Sequence, residues 1–106
     1  MRWVKIFSDR EEALKKIGEN TPRLIIIGNE RICLARYNDE FYGVQDKCSH
    51  NGESLSKGTI NYLCEVVCPW HGHRFNLKTG REAGEQSHDL VTYPIQIDET
   101  GFYIGL

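Results

Sequence analysis

The sequence lacks any long apolar segment and any excess of basic charge. No run approaches the ~20 apolar residues of a membrane-spanning helix, and residues 1–7 are too short and too interrupted by charge for a signal peptide. With 13 Lys and Arg against 15 Asp and Glu, the formal net charge is −2, so no basic face for nucleic acid is expected. We therefore predict a soluble cytoplasmic protein that binds neither membranes nor nucleic acid.

The chain also lacks internal repeats, linkers and low-complexity tracts, and its 106 residues suit a single domain over 1–106. No pattern for a catalytic nucleophile or a mononuclear iron site is present, so an enzyme is not expected. Disulfides are rare in the cytosol, so the even number of cysteines, four, does not imply a disulfide framework. The role of the cysteines must therefore be inferred from the residues around them.

Two short clusters combine cysteine with histidine. Cys48 and His50 form a C-x-H pair, and after seventeen intervening residues (51–67) Cys68 and His71 form a C-x-x-H pair. Two thiolates and two imidazoles make a complete four-ligand metal site. Structural zinc could occupy such a set, although zinc sites more often use C-x-x-C and H-x-x-x-H pairs whose partners are alike. The mixed pairs also suit a [2Fe–2S] cluster in which two histidines replace two cysteines on one iron.

The segments C-S-H-N-G at 48–52 and C-P-W-H-G-H-R-F-N at 68–76 resemble the ligand loops of Rieske-type ferredoxins. The resemblance extends loosely over 3–106. It implies one Rieske [2Fe–2S] cluster per chain, held by two residues on each iron. Cys48 and Cys68 would bind the inner iron, and His50 and His71 the outer, more exposed iron. Histidine ligands leave the oxidised cluster near zero formal charge, which eases reduction and raises the potential above about −400 mV.

The resemblance also indicates a branch of the family. High-potential Rieske proteins carry an additional Cys in each loop, joined as a disulfide, where this chain has Glu53 and Trp70. They also place a Ser and a Tyr, whose hydroxyls donate to cluster sulfurs, where this chain has His73 and Phe75. These differences imply the low-potential branch associated with oxygenase electron chains. The third loop, 83–89, lacks the proline common in the family, so we expect a more polar or more mobile cover.

The remaining pattern predicts an all-β fold with one short helix. Ser8 as N-cap and Glu11 as its capping-box partner begin a helix over about 9–17, whose buried stripe is Ala13, Leu14 and Ile17. Short strands separated by turn residues are predicted at 3–7, 24–27, 31–37, 41–45, 64–67, 74–77, 90–97 and 102–104. Frequent short strands indicate antiparallel sheets, and the resemblance implies Rieske-like stacked sheets with a small cluster-binding subdomain at about 46–78.

Other notable side chains have plainer interpretations. Cys33 and Cys64 are expected to be small buried residues. His88 and His73 are expected at the solvated surface, although His73 could also tune the potential. Trp70 is expected to shield the cluster from water.

Together these residues predict a soluble, monomeric one-electron carrier. The resemblance implies an NAD(P)H-dependent flavoprotein reductase as electron donor and a terminal non-haem iron oxygenase as acceptor. Both partners are expected to dock at one tip, formed by His50, Asn51, Trp70, His71 and 84–88. Two alternatives remain open, namely the small subunit of an NAD(P)H nitrite reductase and a structural-zinc interaction module.

Overall fold

The computed structural model describes all residues, 1–106, and its ten strands form three antiparallel sheets. The strands are β1 Trp3–Phe7, β2 Pro22–Ile27, β3 Glu30–Tyr37, β4 Glu40–Gln45, β5 Thr59–Ile60, β6 Glu65–Val67, β7 Arg74–Asn76, β8 Thr92–Tyr93, β9 Ile95–Asp98 and β10 Gly101–Gly105. The sheet orders are β1–β10–β9, β2–β3–β4–β8 and β5–β6–β7. The predicted all-β fold class with one short helix is confirmed.

The second sheet is built around a meander whose turns are encoded locally. Gly28 begins the β2–β3 turn at φ +60°, and Asn38 and Asp39 make the β3–β4 turn at φ +49° and +63°. Two consecutive residues with positive φ are the geometry of the tight hairpin turns that match strand twist, and Asn and Asp tolerate it. The turns at 28–29 and 38–39 agree with the sequence pattern. They bring β4 back beside β3, and the chain leaves the end of β4 at Gln45 to form the loop that contains Cys48.

Strand β3 separates two hydrophobic cores. Its alternation sends Cys33 and Ala35 into one core and Leu34 into the other, and all three are fully buried. The larger core joins the second sheet to the third sheet and the loops around it. The smaller core lies under the first sheet and the helix, where Phe102 packs edge-on against Phe7 and Phe41. The third sheet is therefore attached to the rest of the molecule by one face.

The single α-helix, α1, spans Arg10–Lys16. Its N-cap is Asp9, whose Oδ1 accepts from the backbone N–H of Glu12 at 2.8 Å, while the backbone N–H of Ser8 donates to Glu12 Oε1 at 2.8 Å. The predicted N-cap, Ser8, is therefore wrong by one residue. Asp and Ser are comparably good caps, and here Asp9 has the extended backbone and the side chain that accepts from the first turn. No helix in the chain is long and apolar enough to cross a membrane.

Three features of the observed elements depart from the predicted ones. Strand β5 and a 3-10 helix at Leu55–Lys57 have no counterpart in the prediction. The predicted strand at 90–97 is divided, because Pro94 stands between β8 in the second sheet and β9 in the first. Cys64 lies just outside β6, in a turn with φ +60°.

Candidate metal centre

The first loop of the site leaves β4 and is folded around a buried carboxylate. Asp46 is almost fully buried and accepts from Ser54 Oγ at 2.5 Å and from the backbone N–H of Ser56 at 2.8 Å. Within the loop, the N–H of Cys48 donates to Glu53 O at 2.8 Å. These bonds close the loop on itself and fix the direction of the Cys48 side chain. Sequence reasoning missed Asp46, although an acid just before the first ligand and two serines beyond it were visible.

The second loop is a short connection between β6 and β7. The N–H of Cys68 donates to the carbonyl oxygen of His73 at 2.8 Å, so the two ends of the loop are held together. Between them His71 and Gly72 both adopt left-handed conformations, with φ +70° and +69°. Glycine tolerates this region, whereas for His71 it costs about 1–2 kcal/mol. The strained residue is one of the four predicted ligands, as is common at functional sites.

The structure brings the two predicted cysteine ligands together inside the protein. Cys48 and Cys68 are each 1% exposed, and both belong to the larger core. Burial raises the pKa of the Cys48 thiol above its ordinary value, the backbone N–H groups of Asn51 and His50 partly offset that rise, and the adjacent Cys68 adds to it. A metal ion bound by Cys48 would displace the proton of its thiol. The same N–H groups stabilise the thiolate that binding creates.

The two predicted histidine ligands lie at the surface. His50 and His71 are both exposed, and each has its ring near the ring of His73, with centroid separations of 3.7 Å and 6.4 Å. His73 is half-buried rather than simply solvated, because it packs on His50. Trp70 stacks on His71 at 5.4 Å but is itself 56% exposed, so the shielding it provides is confined to that ring. Three imidazoles and an indole thus form one end of the molecule.

Asn51 connects the two ligand loops. Its Oδ1 accepts from the N–H of Glu53 at 2.9 Å, and its Nδ2 lies 3.3 Å from Trp70 O and 3.6 Å from Cys68 Sγ. Asn51 is therefore half-buried between the loops, at the tip where partners are predicted to dock.

The third loop is held by a buried acid in place of the missing proline. Glu82 accepts from Gly84 N at 2.6 Å, from Gln86 N at 3.1 Å and from Ser87 Oγ at 3.0 Å. Burial opposes its ionisation, but these hydrogen bonds, together with nearby His73, outweigh it and hold the pKa of Glu82 below its ordinary value. The expected polar cover is thus present, and it is ordered by hydrogen bonds.

The third loop is also tied to the first. Ser49 Oγ donates to the carbonyl oxygen of His88 at 2.6 Å, while the His88 side chain is exposed as expected. Between the two loops lies an entirely polar cleft of about 430 Å³, lined by Ser49, His50 and the segment 85–88. The cleft leaves His50 accessible to solvent.

The other two cysteines lie away from the ligand loops. Cys33 is fully buried and Cys64 nearly so, and neither forms a disulfide. Burial raises the pKa of both thiols, and the charge of Asp46 adds to the effect at Cys33. Both are therefore unreactive small core residues, as the sequence predicts.

The donor set suits a two-iron cluster better than a single ion. No three His, Cys, Asp or Glu side chains converge closely enough to hold one metal ion. Structural zinc would need four such ligands around one centre. In a Rieske cluster each iron takes only one like pair, two thiolates or two imidazoles. In this structure the two thiols are buried together and the two imidazoles lie together at the surface, so each pair could serve one iron.

Comparison with known proteins assigns the family. The Rieske [2Fe-2S] domain family matches residues 3–94, which is most of the chain. The chain belongs to the Rieske [2Fe-2S] domain family. A Rieske-type [2Fe–2S] cluster is accordingly its cofactor, which confirms the predicted cofactor and the predicted family.

Individual relatives of this Rieske domain are ferredoxins. The 3-phenylpropionate/cinnamic acid dioxygenase ferredoxin subunit of Shigella boydii serotype 4 (strain Sb227) is 37% identical over 76 residues, covering 71% of this chain and 72% of the relative. The ferredoxin in a complex of reduced oxygenase and oxidized ferredoxin of carbazole 1,9a-dioxygenase superposes with a TM-score of 0.80 at 28% identity, covering 97% of this chain and 92% of that one.

A third relative, a protein described as an NADPH nitrite reductase small subunit, superposes with a TM-score of 0.79 over the whole of both chains. At 21% identity this likeness shows the fold alone. The ferredoxin relatives confirm the predicted class, an electron-transfer component rather than a catalytic subunit.

Proposed function

We propose that this Rieske domain carries single electrons from an NAD(P)H-dependent flavoprotein reductase to a terminal non-haem iron oxygenase. The observation that carries the proposal is the division of the site into two buried thiols and two exposed imidazoles at one tip. The relatives named as dioxygenase ferredoxin subunits support the choice of acceptor class. The carrier is proposed to act as a soluble cytoplasmic monomer.

The proposed ligands are Cys48 and Cys68 for the inner iron and His50 and His71 for the outer iron. When bound, the cluster supplies one reversible electron transfer. The segment 46–78, which contains both ligand loops and the third sheet, is proposed as the cluster-binding subdomain. Within it, the larger core excludes water from the thiols, while the backbone N–H groups of His50 and Asn51 stabilise negative charge on Cys48.

The exposed imidazoles are proposed to be the point at which the electron both enters and leaves the protein. His50 and His71 lie at the surface, so a partner can approach them without rearrangement of the core. Transient redox complexes use small interfaces, and a tip formed by two short loops and the third loop is of that kind. Because donor and acceptor are proposed to use the same tip, the carrier must release one partner before it binds the other.

The four buried cysteines provide a matched test of the ligand set. Cys48→Ser and Cys68→Ser should abolish binding of two irons and two acid-labile sulfides per chain, together with the Rieske electron paramagnetic resonance signal of the reduced protein. Cys33→Ser and Cys64→Ser change the other two buried thiols, which lie outside the loops, and should retain the cluster. Retention of the signal in Cys68→Ser, or stoichiometric zinc in protein made with ample iron, would show the ligand assignment to be wrong.

Reconstitution tests the carrier function. A reductase with NAD(P)H should reduce the protein, and no organic substrate should turn over until a terminal oxygenase is added. If the chain restored activity only to a sirohaem nitrite reductase, and to no oxygenase, the nitrite reductase alternative would replace the proposal.

A further inference from the structure

One side chain of the tip reaches a ligand sulfur although it belongs to the other loop. Asn51 follows His50 in the first loop, and its Nδ2 lies 3.6 Å from the Sγ of Cys68 in the second loop. Hydrogen bonds to sulfur are longer than those to oxygen, and 3.6 Å is within their range. The contact is half-buried, which weakens competition from water.

The orientation of the Asn51 amide is fixed by its other partners. The backbone N–H of Glu53 points at one end of the amide, at 2.9 Å, and that end must therefore be the oxygen. The carbonyl oxygen of Trp70 faces the other end, at 3.3 Å, and that end must be the NH₂ group. A flipped amide would place its NH₂ group against the N–H of Glu53 and its oxygen against the carbonyl oxygen of Trp70, so this orientation is fixed. Both Oδ1 and Nδ2 lie 3.6 Å from Cys68 Sγ, and the thiol can donate to Oδ1. A metal-bound thiolate has no proton to donate, so only the NH₂ group can then hydrogen-bond it.

A donor at this sulfur favours the reduced centre. A metal-bound thiolate can only accept hydrogen bonds, and reduction by one electron increases the negative charge shared by the cluster and its ligand sulfurs. Hydrogen bonds to more negative acceptors are stronger, so the Asn51 contact stabilises the reduced state more than the oxidised state. This donor matters in a chain where Phe75 carries no hydroxyl that could donate instead.

We propose that Asn51 sets the midpoint potential of this Rieske centre through a side-chain hydrogen bond to the sulfur of Cys68. The role is a positioning and tuning one, and it rests on the proposed function through the assignment of Cys68 as a ligand. It also accounts for the placement of Asn51 between the loops, where it contacts the backbone of each.

The test compares three substitutions by spectroelectrochemical titration of the holoprotein. Asn51→Ser keeps an oxygen for the N–H of Glu53 but is too short to reach the second loop, so it removes the contacts of Nδ2 with Cys68 Sγ and Trp70 O. It should make the reduced state roughly threefold less favoured, a fall of about 28 mV at 59 mV per tenfold. Asn51→Asp replaces the donor with a negative acceptor and should lower the potential further. Asn61→Asp makes the same chemical change in a turn outside the ligand loops, and should leave the potential near that of wild type.

Resonance Raman spectra provide a readout that a merely structural role would not move. The Fe–S(Cys) bands should shift on exchange into deuterated water in the wild type, and part of that shift should disappear in Asn51→Ser. An unchanged midpoint in Asn51→Ser with an intact cluster signal would overturn the proposal while leaving the carrier function standing. If Asn51→Ser does not load a cluster, Asn51→Asp decides, and a midpoint no lower than that of the wild type would overturn the proposal. Absence of a Rieske signal in the wild type would overturn both.

Discussion

At the scale of single residues, the surroundings of the thiols explain why a low potential is expected. Phe75 is fully buried in the same core as Cys48 and Cys68, and its side chain has no group that could donate a hydrogen bond to their sulfurs. His73, the other position at which high-potential relatives carry a hydroxyl, packs on His50 instead. With no hydroxyl donor at either position, we expect the midpoint near −150 mV, the low end of the Rieske range.

The first prediction is that Phe75→Tyr raises the midpoint potential. A buried phenol oxygen must find a partner, and donation to a ligand or cluster sulfur would favour the reduced state by about 1 kcal/mol, or about 40 mV. Redox titration monitored by visible absorption measures this shift. Phe41→Tyr, a similar change in the smaller core, serves as a control and should leave the midpoint unaltered. A lower melting temperature without a change in midpoint would mean that the new hydroxyl does not reach a sulfur.

At the scale of elements, the third loop depends on one carboxylate. Both oxygens of Glu82 are used, because Oε2 accepts from Gly84 and Oε1 accepts from Gln86 and Ser87. The loop in turn contacts the first ligand loop through the hydrogen bond from Ser49 to His88 O. Loss of the Glu82 charge should therefore loosen the cover of the site as well as lower stability.

The second prediction follows from the lowered pKa of Glu82. Since the folded protein holds this pKa below its ordinary value of 4.5, the ionised group adds stability above about pH 4.5, and that contribution disappears as pH falls through the lowered pKa. Glu82→Gln presents an NH₂ group to one of the donors and should cost about 1.5–3 kcal/mol at neutral pH. Its unfolding free energy should also depend less on pH below 5. Denaturant titrations at several pH values measure both effects.

The exposed neighbour Glu85 provides the control for that prediction. It forms only a surface ion pair with Arg81 at 2.9 Å, so Glu85→Gln should change stability by less than about 0.5 kcal/mol. Equal losses of unfolding free energy in the two variants would show that the hydrogen bonds of Glu82 add no more stability than a surface ion pair.

The third prediction concerns the start of α1. Asp9→Ala removes the side chain that accepts from Glu12 N and should cost about 1 kcal/mol of unfolding free energy. Ser8→Ala removes only a weak contact of 3.4 Å to Glu12 and should cost clearly less. Thermal melts of the two variants distinguish the caps, and the reverse order of effects would favour the cap predicted from sequence.

How far the sequence predicts the site depends on whether the information is local. The four predicted ligands are recognisable because the two members of each pair lie within three or four residues of each other, as in Cys48 with His50 and Cys68 with His71. The strands beside tight turns are recognisable for the same reason. Glu82, by contrast, is an ordinary acid until the chain around it folds back, and its role arises from hydrogen bonds to 84, 86 and 87.

The contacts of Asn51 were equally hidden, since they join loops separated by seventeen residues. Pro94 shows another limit. It interrupts the β-like pattern at 90–97 and argues against one strand there, but nothing in that pattern shows that the two halves belong to different sheets. The predicted helix cap was wrong by only one residue, because Ser8 and Asp9 are both good caps and only the backbone conformation selects between them.

At the scale of the whole molecule, the exposed indole at the tip allows the docking proposal to be tested. The fourth prediction is that Trp70→Ala slows both reduction by the reductase and oxidation by the oxygenase by about tenfold, since exposed Trp side chains often dominate small interfaces. Stopped-flow traces with each partner measure the two rates. Trp3→Ala removes another exposed indole, from the edge of the first sheet, and should alter neither rate. An effect on one half-reaction only would mean that donor and acceptor use different faces.

The two cores lead to a fifth prediction. All four cysteines lie in the larger core, whereas the smaller core beneath β1, β10 and α1 contains none. Removal of the cluster should therefore speed amide hydrogen exchange in β5–β7 and the ligand loops, while α1 and β10 remain protected. Mass spectrometry of the iron-free and reconstituted protein would reveal this contrast. Uniform loss of protection would show that the molecule unfolds as one unit.

This separation of the two cores affects how fast the iron-free protein would be degraded in a cell that is short of iron. A chain whose smaller core keeps its order without metal would expose only β5–β7 and the ligand loops to proteases, and it would remain able to take up a cluster instead of being degraded and made again. Scarcity would then reduce the number of working carriers reversibly, at the rate of cluster delivery rather than of protein synthesis.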